Sequence, residues 1–212
     1  MSAKDHSQLW MVPFADLMSC LVILFLSLYV FSFNMKKSDY EIAIANLQKE
    51  LGVKNADKKI AELEATKQVE NDLKKQIDEG SLGMEITTSR IKLTFSSPIL
   101  FDSGSARLKD SAKEVLDPVA VSLLKMNNMV IVEGHTDSAR MLGHKFASNR
   151  ELSIMRAFSV ISYLLKKGVQ PARISAFGYG EFRPAAQNDT EANRFKNRRI
   201  EMIIMRQSEG NL

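Results

Sequence analysis

The stretch Leu9 to Asn34 reads LWMVPFADLMSCLVILFLSLYVFSFN and carries one charged residue, Asp16. An aspartate inside an apolar helix is costly, so it normally faces a partner or a water-filled path. That chemistry suits an ion-carrying carboxylate, neutralised by a proton or a bound cation and released on the other side. The alternative is that Pro13 starts the helix, which puts Asp16 in the first turn, favoured by the helix dipole and the nearby headgroups. Far downstream, His135 stands next but one to Asp137. No serine, cysteine or second histidine is placed to complete a nucleophile arrangement with it. His135 therefore reads as a structural strand-end histidine, His144 as a loop residue, and the chain as no enzyme.

Composition narrows the field. The 212 residues include 29 basic and 25 acidic side chains, for a net charge of +4, and this mixed balance gives no case for nucleic acid as a partner. One cysteine excludes an intramolecular disulfide framework and a cysteine-rich zinc site, and three histidines leave little for a metal. No cofactor is expected.

The apolar part of the first segment, Met11 to Phe33, spans about 35 Å as a helix at ~1.5 Å per residue, enough to cross a hydrocarbon core. Trp10 stands where an interfacial aromatic belongs. The run is too long for a signal-peptide core, and no small-residue cleavage site follows it. Leu17-Met18-Ser19-Cys20 has the look of a lipoprotein box, but the apolar run lies mostly after Cys20 rather than before it. A retained transmembrane helix over 10–34 follows, with a short terminus, 1–9, before it. Lys36 and Lys37 just after the helix, counted alone, would place the C-terminal side in the cytoplasm.

Residues 35–83 read as a helical spacer. Between Met35 and Gly80 nine lysines oppose ten acidic residues without a proline. Val69, Leu73 and Ile77, with Ile60 and Leu63, give only a short apolar stripe, Gly52-Val53 interrupts it, and sustained coiled-coil positions are missing. From Met84 the pattern turns to strands and helices: strand Ile91–Phe95, helix Ser111–Met126 with a kink or break at Pro118, strand Met129–Glu133, helix Glu151–Lys167 capped by Gly168, and strands Ile174–Phe177 and Arg199–Met205. Residues 84–206 thus form one α/β (α+β) domain with helices on a sheet, followed by a tail, 207–212. Phe177, Tyr179 and Phe182 read as core and turn residues.

The domain carries a resemblance. Val132-Glu133-Gly134-His135-Thr136-Asp137, then Asn149-Arg150-Glu151-Leu152-Ser153-Ile154-Met155-Arg156-Ala157, then Gly178-Tyr179-Gly180-Glu181, Pro184 and Asn197-Arg198-Arg199-Ile200-Glu201 resemble the OmpA-like peptidoglycan-binding domain. Phe101-Asp102-Ser103-Gly104-Ser105 fits that family's early loop. Within it, Ser148 to Ser153 and the loop Ser138 to Ala147 are similar to the MotB-type variant. Trp10 to Ser19 independently resembles the membrane helix of MotB and PomB.

The resemblance implies a B subunit of an ion-driven motor stator. Such a subunit is a homodimer inside a MotA-like multi-helix partner, in the bacterial inner membrane, with the C-terminal domain in the periplasm, against the lysine count, and the terminus 1–9 in the cytoplasm. It implies that Asp16 relays protons or sodium ions. The string Phe14 to Ser19 is closer to sodium-type PomB, although the partner also lines the path. It further implies that Asp137 and Arg156 clamp the ammonium and carboxylate of a diaminopimelate stem peptide, an arginine being suited to bidentate carboxylate contact. Asn149 and Leu152 belong to the same motif, with Arg198 near the site, and the segment after Phe33 is a candidate plug. The short terminus and spacer are also similar to ZorB of Zorya antiphage defence, so flagellar rotation and phage defence both stay open. The rival reading is a plain membrane-to-wall anchor without ion transport. An ExbD- or TolR-type transducer would also carry a membrane aspartate but lacks the wall-binding blocks.

Overall fold

The computed structural model describes residues 10–34, 37–53, 56–139 and 146–206. The chain divides into two compact units, one ending at Leu63 and the other starting at Glu64.

The first unit holds helix α1, Met11–Asn34. From Met11 to Val30 it is long and apolar enough to cross a membrane, and none of that stretch is buried within the chain. Its lateral face must therefore be covered by lipid or by other helices. Trp10 packs edge-on against Phe14 at 5.7 Å between ring centres. Pro13 falls at the third helical residue, inside the first turn, where a missing N–H breaks no helical bond. Helix α2, Lys37–Glu50, follows, and Gly52 leaves it with a φ of 73°. That left-handed turn separates α2 from α3, Ala56–Asp72, at the interruption expected from Gly52-Val53. The unit boundary falls inside α3.

In the second unit, five strands form one sheet ordered β1-β2-β5-β3-β4. They are β1 Leu82–Ile86, β2 Arg90–Ser96, β3 Val130–His135, β4 Ile174–Gly180 and β5 Arg199–Met205. Among the described residues only β3 and β4 run parallel. A parallel pair needs a crossover, and α7, Asn149–Lys166, supplies it. Two short helices, α4 (Lys74–Asp78) and α5 (Ser97–Leu100), precede α6, Ala112–Leu124. Helix α6 continues through Pro118, where a kink or break was expected. Val115, Leu116, Val119, Ala120 and Leu123 are buried on both sides of the proline, so packing holds the two halves in one helix. A last short helix, α8, covers Glu191–Asn197.

Alternation along the strands sorts the side chains. Ile91, Leu93 and Phe95 of β2, Val130 and Val132 of β3, and Ile200, Met202 and Ile204 of β5 all enter one core with α6 and α7. That core also takes Val69, Leu73 and Leu82, all from the expected spacer. The folded unit thus begins some way before Met84, because β1 pairs with β2 from Leu82↔Phe95 onward and Leu73 is fully buried. Phe177 and Phe182 correct the expectation of a core role: they are 45% and 71% exposed. The reason for Phe177 is that Gly178, not Phe177, faces α7, where an added Cβ would lie 2.6 Å from Ile154. Phe182 instead closes a turn onto the Tyr179 carbonyl.

Candidate functional site

The site is assembled at the C-terminal end of β3 and the N-terminus of α7. Glycine makes the approach possible. A Cβ on Gly134 would lie 2.0 Å from the Ser153 carbonyl oxygen, so α7 sits directly on the strand. Ser153 fixes the same corner by accepting a hydrogen bond from the Gly180 N–H at 2.9 Å. Helix α7 starts with a capping box: Ser148 Oγ accepts from the Glu151 N–H at 3.1 Å, and the Glu151 carboxylate accepts from the Ala147 N–H at 2.5 Å.

Asp137 follows β3 and is only 7% exposed. Its Oδ2 accepts from Arg198 Nη1 at 2.6 Å, and its Oδ1 accepts from the Ala139 N–H at 3.3 Å. Arg198 is itself oriented by Glu191, to which its Nη2 donates at 2.7 Å. Asn149, the first residue of α7, donates through Nδ2 to the Ala139 carbonyl and to Glu181 Oε2, each at 3.0 Å. It therefore ties two loops to the start of α7. Leu152, one turn on, is buried at 4% exposure.

Arg156, two turns along α7, is buried. Its Nε donates to the Ser105 carbonyl at 2.8 Å and its Nη2 to the Asp102 carbonyl at 3.2 Å. Its guanidinium also lies over the Phe101 ring at 5.3 Å. The loop Phe101 to Ser105, noted in the sequence only as a motif fragment, is thus the seat of this arginine, with Gly104 at a φ of 64° making its turn. Burial presses the Arg156 guanidinium down to about 10, and the Asp137 charge opposes that shift. Arg156 remains a cation at neutral pH. Among the described residues Asp137 is ion-paired with Arg198, not with Arg156. The anion and the buried cation feel each other's field without closing on each other, which suits a ligand that carries both charges.

The structure brings Asp137, Asn149, Leu152, Arg156 and Arg198 into this one region of the domain, while Asp16 lies on α1 in the other unit. Sequence reasoning missed Glu191, which holds Arg198, and quoted Glu181, Asp102 and Ser105 only as motif residues, without the roles they have here: Glu181 holds Asn149, and the Asp102 and Ser105 backbone carbonyls hold Arg156. His135 is buried at the strand end, as expected of a structural residue. Burial, helped by the Arg199 charge, holds its imidazole down at about 4, so it is neutral. The Arg183 backbone acts on the ring against that shift, and among the described residues neither ring nitrogen meets hydrogen-bond geometry with a partner. His144 and the segments 1–9 and 207–212 lie outside the described residues.

Comparison with known proteins agrees with both halves of the chain. Residues 100–198 match the OmpA family, and residues 1–51 match the family described as membrane MotB of the proton-channel complex MotA/MotB. Motility protein B of Bacillus subtilis is 32% identical over 92% of this chain and 90% of its own length. YtxE of the same organism is 31% identical over 95% of this chain and 90% of its own length. Among solved structures, a MotB-like protein from Desulfovibrio vulgaris superposes with a TM-score of 0.65 at 28% identity, covering 69% of this chain and 95% of that one. The cell wall anchor of the type VI secretion system of Pseudomonas aeruginosa gives 0.63 at 28% identity, covering 66% and 97%. With near full-length similarity to motility protein B, and with an N-terminal apolar helix joined to an OmpA-like domain, the chain belongs to the MotB family of stator B subunits.

Proposed function

We propose that this chain is the wall-anchored, ion-relaying subunit of a flagellar-type motor stator. It sits in the inner membrane as a homodimer inside a MotA-like multi-helix partner, with its second unit in the periplasm. Asp16 relays protons or sodium ions. The support for this is its standing as the one charge on α1 from Met11 to Asn34, within the residues matched by the MotB model. A carboxylate on a bare apolar helix needs a partner to share the path, and the description of that family names one. Similarity to motility protein B over nearly the whole chain favours motility as the process driven.

The second unit binds peptidoglycan. The observation that carries this reading is the buried Arg156 held open near an Asp137 carboxylate that is turned to Arg198. A diaminopimelate centre carries an ammonium and a carboxylate on one carbon. Asp137 takes the ammonium and Arg156 the carboxylate, while Asn149, Leu152 and Arg198 shape the mouth. Binding and ion passage make no use of covalent chemistry by the chain. Anchoring matters mechanically, since a subunit free to turn would deliver no torque to its partner.

The test uses two variants of the full chain with its partner. Asp16→Asn is expected to abolish ion flux and rotation and to leave sedimentation with isolated cell wall unchanged. Arg156→Ala is expected to weaken wall sedimentation by 30-fold or more, since loss of a buried charged contact costs ~2–5 kcal/mol. Normal flux in Asp16→Asn would reduce the protein to an anchor. Unchanged wall binding by a folded Arg156→Ala protein would remove the clamp.

A further inference from the structure

A second group of polar residues lies on the face of the sheet turned away from α7. Since Gly134 faces α7, its neighbours on β3, Glu133 and His135, project to the other face. Glu201 of β5 is the direct cross-strand partner of Glu133. Two carboxylates in that register repel each other. Donor atoms of Glu133, His135 and Glu201 all lie within 4.8 Å of one another. His135 is 2% exposed, among the described residues neither of its ring nitrogens meets hydrogen-bond geometry with a partner, and its Nε2 lies 3.7 Å from Glu133 Oε2. A buried imidazole without partners is costly unless something occupies that position.

We propose that Glu133, His135 and Glu201 bind a divalent transition-metal ion of the zinc class. One imidazole and two carboxylates are a donor set that zinc takes, with a fourth position left to water. Calcium and magnesium prefer oxygen donors throughout and fit it poorly. Closing the three donors onto zinc requires side-chain movements of roughly 1 Å, judged from zinc–ligand distances of about 2.0–2.2 Å. The surrounding groups define the charge. Arg199 Nε holds Oε1 of Glu201 at 2.6 Å, which leaves the second oxygen for the ion. The Arg183 guanidinium lies over the Tyr179 ring at 3.8 Å and its charge, like that of Arg199, still acts on Glu133 and His135, while the Tyr179 hydroxyl makes only a long contact, 3.5 Å, with Glu133. Tyr179 also stacks on His135 at 5.4 Å and fixes the ring plane. The site is separate from the Asp137 clamp and its existence does not depend on wall binding.

The experiment is calorimetric titration of zinc sulfate, with magnesium as the comparison, into the full-length chain in detergent after chelator treatment. One zinc per chain is expected, with no uptake of magnesium. His135→Gln and Glu201→Gln should each weaken zinc binding by at least ~10-fold. A variant with His6→Ala, His144→Ala and Cys20→Ser together should bind as the parent does. Glu133→Gln, which keeps the size of the side chain, serves as the third ligand test if His135→Gln fails to fold, as judged by circular dichroism. No zinc uptake below about 1 mM, or equal binding by folded Glu133→Gln and Glu201→Gln proteins, overturns the site.

Discussion

At the scale of single residues, the proposed clamp depends on side chains held by others. Asp137 is nearly buried, and Arg198 is the cation that pairs with it in the unliganded chain. Replacing Arg198 by Gln leaves a buried carboxylate with one weak N–H donor. The expected loss of stability is about 2–3 kcal/mol by urea denaturation. Glu191, the outer partner of Arg198, is 67% exposed, and an exposed pair contributes little. Glu191→Gln should therefore leave stability almost unchanged. Equal losses for the two variants would mean that the Arg198–Asp137 pair is no more than a surface contact. Arg156 could be read from the sequence as a helix arginine at a motif position. Its burial against the Phe101–Ser105 loop could not, because its partners there are carbonyl oxygens and a ring face some fifty residues upstream.

At the scale of elements, the site is positioned by the contact of α7 with β3 and β4. Gly134→Ala would force the Ser153 backbone away from the strand, since the new Cβ would fall 2.0 Å from a carbonyl oxygen. A loss of about 3 kcal/mol or more is expected, with wall binding weakened beyond what the lost stability explains, because Asp137 and α7 no longer share a corner. Thermal unfolding alongside wall sedimentation checks both parts. Elements at the other end of the unit carry a pH signature. Asp72, at the end of α3, pairs with Lys125 at 2.8 Å and accepts from Gln68. The Lys125 hydrogen bond, with that of Gln68, holds its carboxyl below the usual value of 3.8. A depressed carboxylate stabilises the fold above its ordinary range, and that contribution is lost as pH falls through the folded-state value. Asp72→Asn should therefore cost about 0.5 kcal/mol at pH 7 and almost nothing near pH 2. A difference that persisted at pH 2 would show that the aspartate acts through packing instead of charge.

For the whole molecule, the folded second unit begins upstream of the family motif. Val69, Leu73 and Leu82 enter its core, and β1 extends its sheet. A fragment starting at Met84 lacks these side chains and the first two residues of an edge strand. It is expected to unfold at least 10 °C below a fragment starting at Glu64, and equal melting temperatures would show that the upstream residues pack without stabilising. The membrane helix and the wall-binding unit belong to separate compact units. Asp16→Asn should therefore leave the melting of the second unit unchanged, because distant substitutions without shared partners act independently.

The sequence alone determined what depends on local composition and periodicity. The apolar run Met11 to Val30 forms a helix long and apolar enough to cross a membrane, and β5 falls on Arg199–Met205 as expected. Helix α7 begins at Asn149 because Ser148 and Glu151 write a capping box in four letters. The family resemblance of the chain's motifs put forward Asp137, Asn149, Leu152, Arg156 and Arg198 as site candidates. The tertiary structure decided everything that rests on pairs distant in the chain. Strand β1 was hidden because Leu82 to Ile86 is short and contains a glycine, and only pairing with β2 stabilises it. Phe177 looked like core until Gly178 took the face against α7, and Pro118 looked like a break until buried neighbours held its helix together. Which cation sits on Asp137, what seats Arg156, and that Glu133 meets Glu201 beside an unpartnered His135 are matters of register and burial. No local pattern encodes these, because each joins residues from different strands, helices and loops.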